Sequence, residues 1–318
     1  MEDIIKKYFR NINFIFFTLI FLFYFIESYI YVRSDYTYTV CFVLIATLGV
    51  SHGALDAEQG RKMFAIKYRF WKPIFYFVYL TLVILVFFGW YLNSVISLII
   101  FLIIAAFHFG KEDLEIYLKK DFVLKFILFF LKGSLIILLP LYFNFYDTIK
   151  IFNEILFVYN FILITPFVAK IFLSINLILQ SLLFIYVFYI RQISLFDFLN
   201  IIFEITSIIF LFYLFKPIAA FTMYFCFMHS FKNISILSFE YNNNILLGFK
   251  KFFKKAFPLT IITFFSLIVL LLLIGQNETW NSAIQKVIFI GLASLTLPHV
   301  ILHFLSENFF NNKKFSKF

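Results

Sequence analysis

Pro258-Leu-Thr-Ile-Ile-Thr-Phe-Phe-Ser-Leu-Ile-Val-Leu-Leu-Leu-Leu-Ile274 carries no charged side chain, and Lys250, Lys251, Lys254 and Lys255 stand just before it. As a helix rising about 1.5 Å per residue the stretch is about 25 Å long, close to the ~30 Å hydrocarbon core of a bilayer. Comparable apolar runs occupy residues 13–32, 37–55, 73–92, 95–110, 123–143, 167–190, 196–214, 218–236 and 283–304. The pattern predicts an all-α polytopic transmembrane bundle of about ten spans. A closed β-barrel, the other spanning solution, requires short alternating segments instead of long solid runs.

Composition agrees. Of 318 residues, 63% are hydrophobic and 14% charged, and mean hydropathy is +0.97. No polar stretch is long enough to fold alone, so residues 1–318 read as a single transmembrane domain. The net charge of +10 raises the question of nucleic acid, but the basic residues lie between apolar runs, where they set topology. Clusters such as Arg61/Lys62/Lys67/Arg69/Lys72, Lys111/Lys119/Lys120 and Lys313/Lys314/Lys317 follow even-numbered segments, as the lysines before Pro258 do. The positive-inside rule then puts both termini in the cytoplasm. Residues 151–166 are apolar but short and end at Pro166, which leaves an interfacial piece or a further span open. The first run lacks a small-residue cleavage site, so no cleavable signal peptide is expected. Cys41 and Cys226 read as packing residues, and the 53 phenylalanines reflect a bias towards AT-rich codons and carry no functional weight.

The five histidines hold most of the remaining information. His52 stands in Ser51-His52-Gly53-Ala54-Leu55-Asp56, and His108 in His108-Phe109-Gly110-Lys111-Glu112-Asp113. His229 stands in Met228-His229-Ser230-Phe231-Lys232-Asn233, and His299 in Leu297-Pro298-His299. These four fall on the second, fourth, eighth and tenth segments, all running inward, and each lies towards the inner end. Ionisable groups within membrane segments are costly and mark function. Four neutral imidazoles at matched depth suit iron, zinc, copper or nickel. Asp56, Glu58, Glu112 and Asp113 are either hydrogen-bond partners of such ligands or solvated loop and cap residues. Gly53 and Gly110 suggest turns that aim each ring, and Pro298 suggests a helix break.

At these places the chain resembles the Brp/Blh family of integral-membrane β-carotene 15,15′-dioxygenases. The family's Pro-His-Gly-x-x-Asp is matched by residues 51–56 with Ser51 for Pro, its His-Phe-Gly/Ser followed by acids by residues 108–113, and its Leu-Pro-His by residues 297–299. Its His-Ser-x-x-His is matched by His229-Ser230, but Asn233 replaces the second histidine. The resemblance implies an iron(II) enzyme of the cytoplasmic membrane that uses O₂ to split the central double bond of β-carotene into two all-trans-retinal molecules, which supply a microbial rhodopsin. It implies His52, His108, His229 and His299 as metal ligands and catalytic residues, with His303, four residues after His299, in reserve. A transporter or metal carrier, and a carotenoid- or retinal-binding protein without activity, are the competing readings. Nucleic acid is not an expected partner.

Overall fold

The computed structural model describes residues 2–29, 34–65, 68–119, 122–156 and 164–315, and every regular element among them is helical. In chain order these are α1 (Glu2–Tyr29), α2 (Ser34–Leu44), α3 (Asp56–Phe64), α4 (Trp71–Leu92), α5 (Ser94–Leu114), α6 (Lys125–Phe143), α7 (Phe145–Leu156), α8 (Pro166–Tyr189), α9 (Leu195–Leu214), α10 (Pro217–Tyr224), α11 (Phe231–Tyr241), α12 (Ile245–Gly275) and α13 (Trp280–Phe315). A π-helical segment, Ile45–Gly49, and a short 3₁₀ turn, His52–Leu55, join α2 to α3. A second π segment, Phe225–Ser230, joins α10 to α11.

Among the described residues, nine helical stretches are long and apolar enough to cross a membrane. They correspond to nine of the ten expected segments. The tenth, expected at 218–236, exists as an unbroken helical path over residues 217–241, but His229, Lys232, Asn233 and Glu240 make it less apolar than the rest. It needs no lipid-compatible surface because its neighbours cover most of it: Tyr224, Met228, His229, Ser230 and Lys232 are at most 1% exposed. The other nine present apolar side chains outwards, as Phe77 and Tyr91 do at 74% and 86% exposed, which suits a hydrocarbon environment. The multi-pass helical bundle is therefore as expected, with one polar helix at its centre.

Some boundaries differ. α1 begins at Glu2, well before residue 13, because its first turns dock on α9: Ile5 and Phe9 are buried and Lys6 pairs with Asp197 at 3.4 Å. α12 begins at Ile245, so Lys250 to Lys255 lie on a helix and Pro258 sits inside it. Residues 151–156 end the short α7 and Pro166 opens α8; residues 157–163 of the undecided stretch lie outside the described residues. Cys41 and Cys226 are free and buried, as packing residues are.

Two features fix the helices that matter for the site. α5 and α6 cross in backbone contact: a Cβ on Gly110 would lie 1.7 Å from the Phe129 carbonyl oxygen, and one on Gly133 1.8 Å from that of Ala106. Small residues permit such close crossings between membrane helices. Gly110 therefore makes no turn, and no glycine among the described residues has a positive φ. Behind this crossing lies a buried ionic cluster. Lys132 reaches Asp113 at 3.2 Å and Glu204 at 2.8 Å, and Lys232 reaches Glu204 at 2.5 Å and Asp113 at 3.9 Å. Tyr224 donates to Asp113 at 2.9 Å and Asn13 donates to Glu204 at 3.0 Å. Two ammonium and two carboxylate groups thus balance inside the bundle and tie α1, α5, α6, α9, α10 and α11 together.

Candidate metal centre

His229 lies in the second π segment and His52 opens the 3₁₀ turn three residues after the first. A π turn inserts a residue into a helix and is common at functional sites. Here the two segments lie against each other, and the Gly49 carbonyl joins them. It accepts from Ser230 Oγ at 2.9 Å and lies 2.8 Å from His52 Nδ1. A Cβ on Gly49 would meet the Phe225 ring at 2.6 Å, so only glycine allows this approach. With Nδ1–H donating to that carbonyl, His52 presents Nε2 inward.

His108 projects from α5 and His299 from α13, which continues unbroken through Pro298. The helix break expected at this proline is absent. Its missing N–H instead frees the carbonyl of Ser294 four residues back, beside the cleft described below. His299 Nδ1 lies 2.8 Å from Asp56 Oδ1, and Tyr79 donates to the other Asp56 oxygen at 3.0 Å. This carboxylate orients the ring so that Nε2 faces away from it.

The four rings close into a quadrilateral. Centroid separations are 5.6 Å for His52–His229, 5.3 Å for His52–His299, 5.3 Å for His108–His229 and 5.2 Å for His108–His299. The four expected residues are thus brought together, each at most 8% exposed. Glu112 shares the space: its carboxylate lies 3.5 Å from His108 Nδ1, 3.6 Å from His229 Nε2 and 3.7 Å from His299 Nε2. Asn233, where the family motif has histidine, donates its side-chain amide to Glu112.

Donor atoms of His52, His108, Glu112 and His229 lie within 4.8 Å of one another, and so do those of Asp56, His299 and His303. Ligands about 2.1 Å from one ion stand roughly 3–3.5 Å apart, and the Glu112 carboxylate lies 3.5–3.7 Å from three of the rings. Both ring nitrogens of His229, and His299 Nε2, are buried without any hydrogen-bond partner. Such orphans are costly and call for an explanation. Moreover, Glu112 and Asp56 pair with imidazoles, an amide and a phenol, and with no lysine or arginine among the described residues. A buried carboxylate, Asp56, and a largely covered one, Glu112, beside unsatisfied imidazole nitrogens fit a divalent cation.

Of the four acids considered from sequence, two belong to this site. Asp56 holds His299, which is 243 positions away in the chain, instead of its neighbour His52. Asp113 faces the buried lysines, and Glu58 bonds Lys255 at 2.7 Å and Tyr241. His303 stacks near His299 at 4.5 Å between centroids. The aromatic wall (Phe109 4.8 Å and Phe225 5.7 Å from the His229 ring) and the Tyr79–Asp56 link have no signature in sequence spacing.

A cleft of about 360 Å³ reaches these histidines. His52, His108 and His299 lie on its wall, and the rest is mostly apolar side chains of α4, α12 and α13. Leu80 and Ile262 line the cleft and are 57% and 61% exposed, so it opens sideways between α4 and α12.

A sequence model of the family described as beta-carotene 15,15′-dioxygenase matches residues 43–305, which contain all four site histidines and both carboxylates. A protein of that same description from an uncultured marine bacterium, 66A03, is 27% identical over 263 residues, covering 81% of this chain and 90% of the relative. No solved structure matches the chain. The matched region is most of the bundle, and the chain belongs to the β-carotene 15,15′-dioxygenase family.

Proposed function

We propose that this protein cleaves the central 15,15′ double bond of β-carotene with O₂, at iron held by His52, His108, His229 and His299, in the cytoplasmic membrane. The products are two molecules of all-trans-retinal, available to a retinal-binding rhodopsin, and both termini face the cytoplasm. The observation that carries this reading is four converging imidazoles with two carboxylates that pair with no lysine or arginine among the described residues, at the end of an apolar cleft open to lipid. Iron(II) bound there would supply the activation of O₂.

The residues of the chain do the rest. Asp56 keeps the proton of His299 on Nδ1 and leaves Nε2 for the metal. Glu112 and Asp56 together bring two negative charges, which a divalent ion held there would neutralise inside the bundle. Phe109 and Phe225 cover His229 and exclude water from it. The cleft takes the polyene from the bilayer, where such a molecule dissolves, so no transfer through water is required. The overall change breaks one C=C and one O–O bond and forms two C=O bonds, and needs no outside electrons or protons.

Expression in a bacterium that makes β-carotene tests the reading: the orange colour should fade as retinal accumulates. Unchanged pigment, with the protein present and iron and oxygen supplied, would refute it. His52→Ala, His108→Ala, His229→Ala and His299→Ala should each abolish retinal formation while the protein still accumulates in the membrane. A protein that merely binds carotenoid would leave pigment intact in wild type and variants alike, and a metal carrier would move iron across proteoliposomes without touching it.

A further inference from the structure

A rod cut at its midpoint needs apolar room on both sides of the reacting centre. If the substrate is about as long as the hydrocarbon core is thick, ~30 Å, each side must take about half of that. The cleft lies on one side of the histidines. On the other is a separate groove of about 330 Å³, which the cleavage reading does not use.

His108 lines both spaces. α13 separates them elsewhere. Leu292, Leu295 and His299 face the cleft, whereas Leu297, Ile301 and Phe304 face the groove. At 3.6 residues per turn these two sets lie on opposite faces of one helix. They are also offset along it: the cleft takes residues 291–299 and the groove residues 297–305, so their centres stand about 9 Å apart along the axis. His299, and the histidine cluster with it, sits where the two ranges overlap. A molecule that passes between α5 and α13, beside His108 and His299, would therefore run from the cleft into the groove.

The groove suits an apolar end group. Seven of its twelve lining residues are apolar, Ile104, Phe107, Val300, Ile301 and Phe304 among them, and the polar ones, His108, Lys111, Glu112, Glu115 and His303, include His108 and Glu112 of the histidine site. Phe304, at 60% exposed, leaves it open at the edge of the bundle.

We propose that this groove between α5 and α13 is a second substrate-binding site, which holds one ring-bearing half of the carotenoid while the cleft between α4 and α12 holds the other. The histidine cluster is then the waist of a two-armed passage, and the groove's depth sets which double bond reaches the waist. This rests on the cleavage reading above.

Tryptophan at Val300 or Ile104 fills the groove, and Ile103→Trp, on the outer surface beside it at 53% exposed, serves as the control. The assay compares β-carotene with a carotenoid aldehyde truncated on one side, whose short arm needs less groove. Val300→Trp and Ile104→Trp should lower kcat/KM for β-carotene by about tenfold or more, since misplacement at the ångström scale is enough for such losses. The truncated substrate should lose less than about threefold, and iron content should match wild type. Equal losses on both substrates, or no loss on β-carotene, would overturn the second arm while leaving the cleavage reading in place. A wild-type protein that cleaves neither substrate would instead refute the cleavage reading, and this proposal with it.

Discussion

Glu112 and Asp113 are adjacent in sequence and face opposite neighbourhoods, so removing their charges should produce opposite phenotypes. Glu112 faces three imidazoles at 3.5–3.7 Å and no ammonium group. A carboxylate about 4 Å from a unit positive charge gains roughly 4 kcal/mol at an effective dielectric of ~20, and about twice that opposite a divalent ion. Even if desolvation offsets most of this, Glu112→Gln should weaken iron binding by at least about 100-fold, or ~2.7 kcal/mol. The metal-free variant should melt no lower than metal-free wild type, because a buried carboxylate without a cation has been removed. Asp113→Asn leaves Lys132 and Lys232 with Glu204 as their one remaining carboxylate and changes the acceptor of the Tyr224 hydroxyl. Breaking a buried pair in this way costs about 3–5 kcal/mol, which lowers the melting temperature by on the order of 10 °C. The assay pairs thermal melting in detergent, with and without iron, with iron titration against a competing chelator. Only the wild type and Asp113→Asn should gain a metal-dependent rise in melting temperature, since stabilisation by a ligand follows its affinity. If Glu112→Gln bound iron like wild type, or Asp113→Asn melted like wild type, the division between metal site and structural cluster would be wrong.

Asp56→Asn retains an acceptor for His299 Nδ1 but loses the charge, and should reduce iron affinity by about 10–100-fold; Tyr79→Phe, one hydrogen bond further out, should reduce it less, by the same chelator titration. Gly110→Ala places a methyl 1.7 Å from a backbone oxygen and should cost more than the roughly 1–3 kcal/mol of ordinary overpacking, read as lost yield of folded protein. Gly53→Ala meets its nearest neighbour, His299 Nδ1, at 3.7 Å, and should fold normally by the same measure. Cysteine-labelling at the two termini should find both accessible from the same side of the membrane; opposite sides would show that residues 217–241 do not complete a tenth crossing.

The amino-acid sequence was legible where the physics is one-dimensional. Apolar runs gave nine of the spanning helices, and the alternation of lysine-rich connections put four histidines on helices that run the same way. The four rings do converge, although His229 and His299 sit near the middle of their helical stretches, where rings can meet whichever way the helices run. What stayed hidden depends on contacts between distant segments. Nothing local to Ile45–Gly49 or Phe225–Ser230 announces a π turn, because each is stabilised by the other through Gly49. Gly110 read as a turn because glycine serves both turns and close crossings, and only Gly133 on the facing helix decides between them. Lys132 and Glu204 lie inside apolar spanning runs, and their pairing is visible only once α6 and α9 are side by side.

Asn233 connects these threads. Where the family motif has histidine, this chain has an amide that donates to Glu112 and cannot serve as an imidazole ligand. The four remaining imidazoles still surround the site, because His299 comes from α13 and Asp56 fixes its orientation. The loss of a fifth ring therefore moves weight onto Glu112, whose carboxylate is held by the very residue that replaced the histidine. Restoring it tests that shift. Asn233→His removes the amide donor and supplies another imidazole beside Glu112, so iron affinity should hold or rise, and Glu112→Gln in that background should cost less than Glu112→Gln alone. If the two substitutions are strictly additive in a double-mutant cycle, Asn233 does not act through Glu112, and its place beside the carboxylate is packing without consequence for the metal.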